Sequence, residues 1–233
     1  MSGYQTHELC LTTFAEKPSA VLARARAFLR RGYALIEDPN WCGLIEFEGV
    51  DSDEYFVTES IDPTNDEAID EALAMGYGVQ ICQKVKLLIH HYTMMLMIVP
   101  GDRVGFIWKI ESLTFRELFE RNGPAGWNQA LKNELAGCVF GLVAACGADG
   151  FVMKFDRDEL RTYTPEELTH AMQHYEHDSP LAGPTFIGAK SERLSLEQVW
   201  RVACRGRRSK SYYSAHGYTV GDFLYPLDDP PPS

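Results

Sequence analysis

The amino-acid sequence predicts an α+β fold, an antiparallel sheet with helices packed on it, helix-rich in its C-terminal part. Three observations carry this. Strand-length apolar stretches follow one another at 79–86, 88–99 and 104–111, the last two flanking the turn at 100–103. Capped segments with helical spacing stand before, between and after them. The composition, 45% hydrophobic and 24% charged over 233 residues, is that of an ordinary globular chain and excludes a disordered or collagen-like one.

Taken in order, 8–14 reads as a strand. Residues 17–31 read as a helix, with Val21, Leu22, Ala25, Phe28 and Leu29 forming its apolar stripe. Arg30 and Arg31 suit the negative end of its dipole, and Gly32 supplies the stop. Short strands follow at 33–37, 44–48 and 54–60. A helix over 64–75 is then expected, with Thr64 and Glu67 at capping-box spacing and Gly76 ending it. The run 88–99 is apolar on both alternate sets for most of its length, which predicts a central strand covered on both faces. A capped helix from Thr114 stops at Asn122-Gly123, and 122–126 is the one candidate internal boundary in a single domain spanning 1–233. A long helix over 127–146, a strand at 151–155, helices at 165–177 and 196–205 and an irregular end complete the expectation.

The six cysteines form no Cys-x-x-Cys pair and match no zinc spacing, so all are read as reduced core residues. The start lacks a basic-then-apolar leader, and the 14 residues 135–148 are too short for a span of about 20. A cytoplasmic address and no membrane partner are expected. No cofactor is expected, for the chain lacks a Gly-rich phosphate loop and a nucleophile elbow.

Charge is the strongest lead. Of a net −11, thirteen carboxylates fall between Glu37 and Glu71, where Lys and Arg are absent; the rest of the chain carries +2 by difference. Residues 190–210 hold seven basic groups against two acidic ones. Three uses follow for the acidic run: pairing with that basic segment, a solvated face that keeps the chain soluble, or a docking face for a basic partner. For the last, Asp51, Asp53, Glu54, Asp62, Asp66, Glu67, Asp70 and Glu71 are the candidate contacts, with Tyr55 or Trp41 as the apolar anchor. Nucleic acid is not expected as a partner, since phosphate contact needs positive charge.

No catalytic residue is assigned and the chain is read as non-enzymatic. The alternative is a metal-dependent enzyme, a hydrolase for instance. His170, His174 and His177 lie within about 60° on one face of the helix expected at 165–177, a spacing that suits metal ligation. Ala171 stands where a zinc-peptidase motif needs its Glu.

In general character the chain resembles the immunity proteins of bacterial toxin systems. The resemblance rests on the acidic stretches 46–54 and 62–71. It implies a cytoplasmic inhibitor whose partner is a basic, nuclease-like cognate toxin. Within that class, residues 113–123 faintly resemble the helix-to-Asn-Gly segment of Smi1/Knr4-like proteins. A long helix follows here where that family places strands, so its fold is not carried over.

Overall fold

The computed structural model describes residues 6–14, 16–47, 55–88, 90–100, 104–111, 125–155, 164, 166–168, 170, 184–195, 197–198 and 211–222. The chain runs β1 (Thr6–Phe14), α1 (Pro18–Tyr33), β2 (Ile36–Glu37), a 3-10 turn η1 (Pro39–Trp41), β3 (Gly43–Phe47), β4 (Tyr55–Ser60), α2 (Asp66–Ala74), β5 (Gly78–Leu87), β6 (His90–Val99), β7 (Val104–Glu111), α3 (Ala125–Cys146), β8 (Gly150–Phe155), β9 (Pro184–Lys190), β10 (Ser211–Ala215) and β11 (Tyr218–Asp222).

One sheet contains all the described strands, in the order β10-β11-β9-β8-β1-β7-β6-β5-β3-β4, with β2 paired to β5 beside β3. Every pairing is antiparallel. Register places Val220, Gly188, Phe151, Leu11, Phe106, Ile98 and Val79 in one row across the sheet. Except for the glycine, all belong to a single apolar core shared with α1, α2 and α3. Side chains of alternate residues point to the other face. There Cys10, Met97, Ile107, Val152 and Ile187 are also buried, so the middle of the sheet is closed to water on both sides. The expectation for 88–99 holds for the middle of the strand, where Leu96, Met97 and Ile98 are consecutive and all buried; the strand itself starts at His90, and His91 is exposed.

Close approaches are bought with glycine. A Cβ at Gly188 would stand 2.1 Å from the Phe151 ring, and one at Gly141 of α3 would stand 2.4 Å from Phe28 of α1. Arg24 of α1 donates to the carbonyls of Ala145 and Cys146, capping the end of α3 where a cation also suits the dipole. His216 and Gly217 both have positive φ, as a two-residue hairpin of the I′ type requires between β10 and β11.

Several local expectations are corrected. Helix α1 runs through Gly32 and stops at Ala34, the residue that takes the left-handed conformation. The N-cap of α2 is Asn65, which accepts from the Ala68 amide, so Thr64 and Glu67 form no capping box. The strand expected at 33–37 is two residues long and leads into η1. Strands stand at 184–190, for which no element was expected, and at 211–215 and 218–222, where an irregular end was expected. The helices expected at 165–177 and 196–205 are described only near their starts. Both starts carry reciprocal caps, Thr164 with Glu167 and Ser195 with Gln198. The helix expected from Thr114, including 113–123, lies outside the described residues, and α3 begins at Ala125.

Candidate docking surface

The acidic segment builds one end of the sheet. β3 and β4 form its terminal hairpin, η1 precedes β3, and α2 returns over the helix-covered face to pack on α1 and β5. Leu44 pairs with Val79 of the core, so Leu44 and Glu46 face the helices while Ile45 faces the opposite side. Glu46 is paired with Phe56, which therefore shares the helix side, and Ile45 with Val57 on the other.

Beneath this surface lies a polar clamp that neither charge counting nor periodicity foretold. Glu37 and Arg26 are almost sealed from water, at 8% and 7% side-chain exposure. Arg26 Nε lies 3.0 Å from both Glu37 oxygens. Its Nη2 donates to the Pro63 carbonyl, and Nη1 stands 3.6 Å from Asp66. Gln83 Nε2 donates to Glu37 at 2.9 Å, and the same amide's oxygen accepts from the Trp108 indole at 3.0 Å. Arg30 reaches Glu37 from the rim at 3.5 Å. A buried carboxylate is tolerable only when paired and hydrogen-bonded in this way. The clamp fixes α1, β2, β5 and the 61–65 connection to one another, so the end of the sheet is held from inside. One signal was present in the sequence: Arg26 lies four residues after Leu22 and three before Leu29, on the apolar stripe itself.

The expected contact residues divide into three groups. Asp51, Asp53 and Glu54 lie outside the described residues, and Tyr55 opens β4 opposite Phe47. Asp62, Asp66 and Asp70 serve local structure. Asp62 accepts from the Thr64 amide and hydroxyl, which hold its carboxyl below the usual carboxylate value. Asp66 leans toward Arg26. Asp70 accepts from the Ser19 amide and hydroxyl at 3.0 and 2.7 Å, capping the first turn of α1 from outside it. Glu67 and Glu71 are exposed, as are Glu46 and Glu59, which were not among the expected contacts. Among the described residues no ion pair engages these four. Lys190 and Arg193 of the basic segment pair with Asp149, and residues 199–210 lie outside the described residues.

Trp41 is exposed, as an anchor must be. Its company is informative: the large exposed hydrophobic residues among those described are Ile36, Trp41, Phe56, Val57 and Met75, each 48–69% open. All five fall between residues 36 and 75, the stretch that holds the carboxylates. The exposed apolar and the exposed acidic side chains thus belong to the same stretch of chain.

Of the alternative metal triad, His170 is exposed on a helical turn, and His174 and His177 lie outside the described residues. Among the described residues no group of three potential ligands could hold a metal ion. Five cysteines are described, all free and buried, as expected for core residues. Burial pushes the thiols of Cys138 and Cys146 up to about 12, with Glu134 adding to the shift at Cys138 and Arg24 opposing it at Cys146. No helix among the described residues is long and apolar enough to cross a membrane. Comparison with protein families, characterised proteins and solved structures gives no match.

Proposed function

We propose that the chain is a non-enzymatic protein-binding module that docks a basic partner on the end of the sheet built by residues 36–75. The observation that carries this is that one stretch, 36–75, holds both the large exposed apolar side chains and exposed carboxylates that no described cation pairs with. Buried aromatic and aliphatic anchors supply most binding energy at protein interfaces, and charge around them raises the association rate and selects the sign of the partner. Trp41, Phe56 and Val57 fill the first role. Glu46, Glu59, Glu67 and Glu71 fill the second, with Asp51, Asp53 and Glu54, which lie between β3 and β4 in the sequence, adding to the same charge. The form that best suits a small acidic chain of this kind is an immunity-type inhibitor acting in the cytoplasm on a basic toxin.

The test is capture followed by charge reversal. The chain is used as bait at low salt, and the retained protein is identified and its net charge read from its sequence. Binding is then repeated with Glu67→Lys and Glu71→Lys together, exposed positions that leave the clamp intact. A basic partner whose association slows and loses salt dependence in the variant supports docking here. An unchanged association rate at low salt removes this face from the interface. Reversing Asp66 and Asp70 is a poorer test, because it also disturbs Arg26 and the cap on α1.

A further inference from the structure

β4 ends the sheet among the described residues, where one side of its backbone pairs with β3 and the other has no strand beside it. Residues 56–60 are all exposed. Proteins usually blunt such an edge, and two of the usual devices are present: a bulge between Val57 and Ser60, and the charge of Glu59. A third feature runs the other way. Phe56 and Val57 are neighbours on the strand, so they lie on opposite faces, and they are 57% and 48% exposed. Open apolar side chains on both faces of an edge strand form a surface that an added strand would cover from both sides.

Charge selects the occupant. A second copy of the chain, set β4 against β4, would bring the Glu59 carboxylates of both copies to the seam, each with Glu46 one strand behind it, and gathering like charge in this way is destabilising. A cationic strand meets the opposite situation. We propose, resting on the docking face described above, that β4 accepts an extended basic segment of the partner by strand addition, chiefly along 55–57. The segment carries Lys or Arg on its helix side, beside Phe56 and within side-chain reach of Glu46 one strand further in, and apolar residues on its other side, beside Val57. Main-chain hydrogen bonds then supply affinity and alternate side chains supply selectivity.

Three peptide probes test this on the intact protein: an end-blocked decapeptide of alternating Lys and Val, the same peptide N-methylated on every Val, and the same peptide N-methylated on every Lys. In a strand, all residues of one alternate set direct their N–H groups to one side. Strand addition therefore requires that one methylated form fail and the other survive. Fluorescence anisotropy at low salt is expected to show saturable binding of the parent. One methylated form should bind about thirtyfold more weakly, the equivalent of two net hydrogen bonds, and the other within about threefold of the parent. A variant with Phe56→Ser and Val57→Ser, both at exposed positions, should weaken the parent about tenfold. Equal binding of all three peptides, or no loss in the variant, overturns strand addition and leaves basic docking standing. Failure of every peptide, the parent included, overturns both.

Discussion

Replacing Glu37 by Leu probes the clamp that holds the docking end. The substitution removes a carboxylate that is 92% covered and leaves the Arg26 guanidinium buried without its principal acceptor. Of Arg26's remaining partners, the Pro63 carbonyl is neutral and Asp66 is 56% exposed at 3.6 Å, too open to compensate. Gln83 also loses the acceptor of its amide N–H. Breaking a buried ion pair from one side costs about 3–5 kcal/mol. Against a whole-domain stability of about 5–15 kcal/mol this is large, and for a chain of this length it amounts to a melting temperature lower by about 10 °C. The companion change Arg26→Met should cost a similar amount alone. Together the two changes should cost only about 2–4 kcal/mol, because no unpaired charge remains and the orphaned Gln83 and Pro63 groups account for the loss. Urea unfolding of the two single variants and the double variant gives the coupling directly. A single loss below about 1 kcal/mol, or simple additivity in the double, would refute the claim that a buried charge pair fastens this end.

Three other outcomes are expected. Gly188→Ala should cost about 1–3 kcal/mol in urea unfolding, because the new methyl must displace the Phe151 ring from 2.1 Å; an unchanged midpoint would contradict the packing. Native protein at pH 8 should protect Cys10, Cys42, Cys82, Cys138 and Cys146 from a thiolate-directed reagent until it unfolds, the more so where a pKa of about 12 leaves roughly one thiol in ten thousand ionised; mass spectrometry showing prompt labelling of any of the five would count against their burial. Asp62 should titrate below its ordinary 3.8 by carbon-detected NMR, because Thr64 donates to the charged form. Its contribution to stability is fully present above that ordinary value and fades as pH falls through the lowered one. Thr64→Val should bring the titration back up, and no movement would sink the assignment.

The parts of the fold that were legible are those where one physical rule dominates. β5, β6 and β7 carry long apolar runs, α1 a clean stripe, and α2 a glycine stop, with Gly76 at φ 91° as its role demands. β9 and β11 were hidden because glycine reads as a breaker. Gly188 and Gly221 instead sit within paired strands, the first because the Phe151 ring lies over it. Gly32 misled in the opposite sense: it occupies the helix, and Ala34 takes the left-handed turn beyond it. The acidic run was visible as a count, but a count cannot tell a steering charge from a structural one. Glu37, Asp62 and Asp70 are engaged by Arg26, Thr64 and Ser19, and only three-dimensional packing brings Ser19 to Asp70 or Gln83 to Glu37. Glu46 and Glu59 went unchosen because strand register, not sequence, sets their neighbours.

Amide hydrogen exchange of the chain, free and then bound to the protein it captures, reports directly on where a partner sits. New protection is expected across residues 36–75, strongest in 55–57 and around Trp41, with β8 to β11 unchanged. Protection gathered at the far edge of the sheet while 36–75 exchanges as in the free protein would show that the acidic, apolar end is not where this molecule meets its partner.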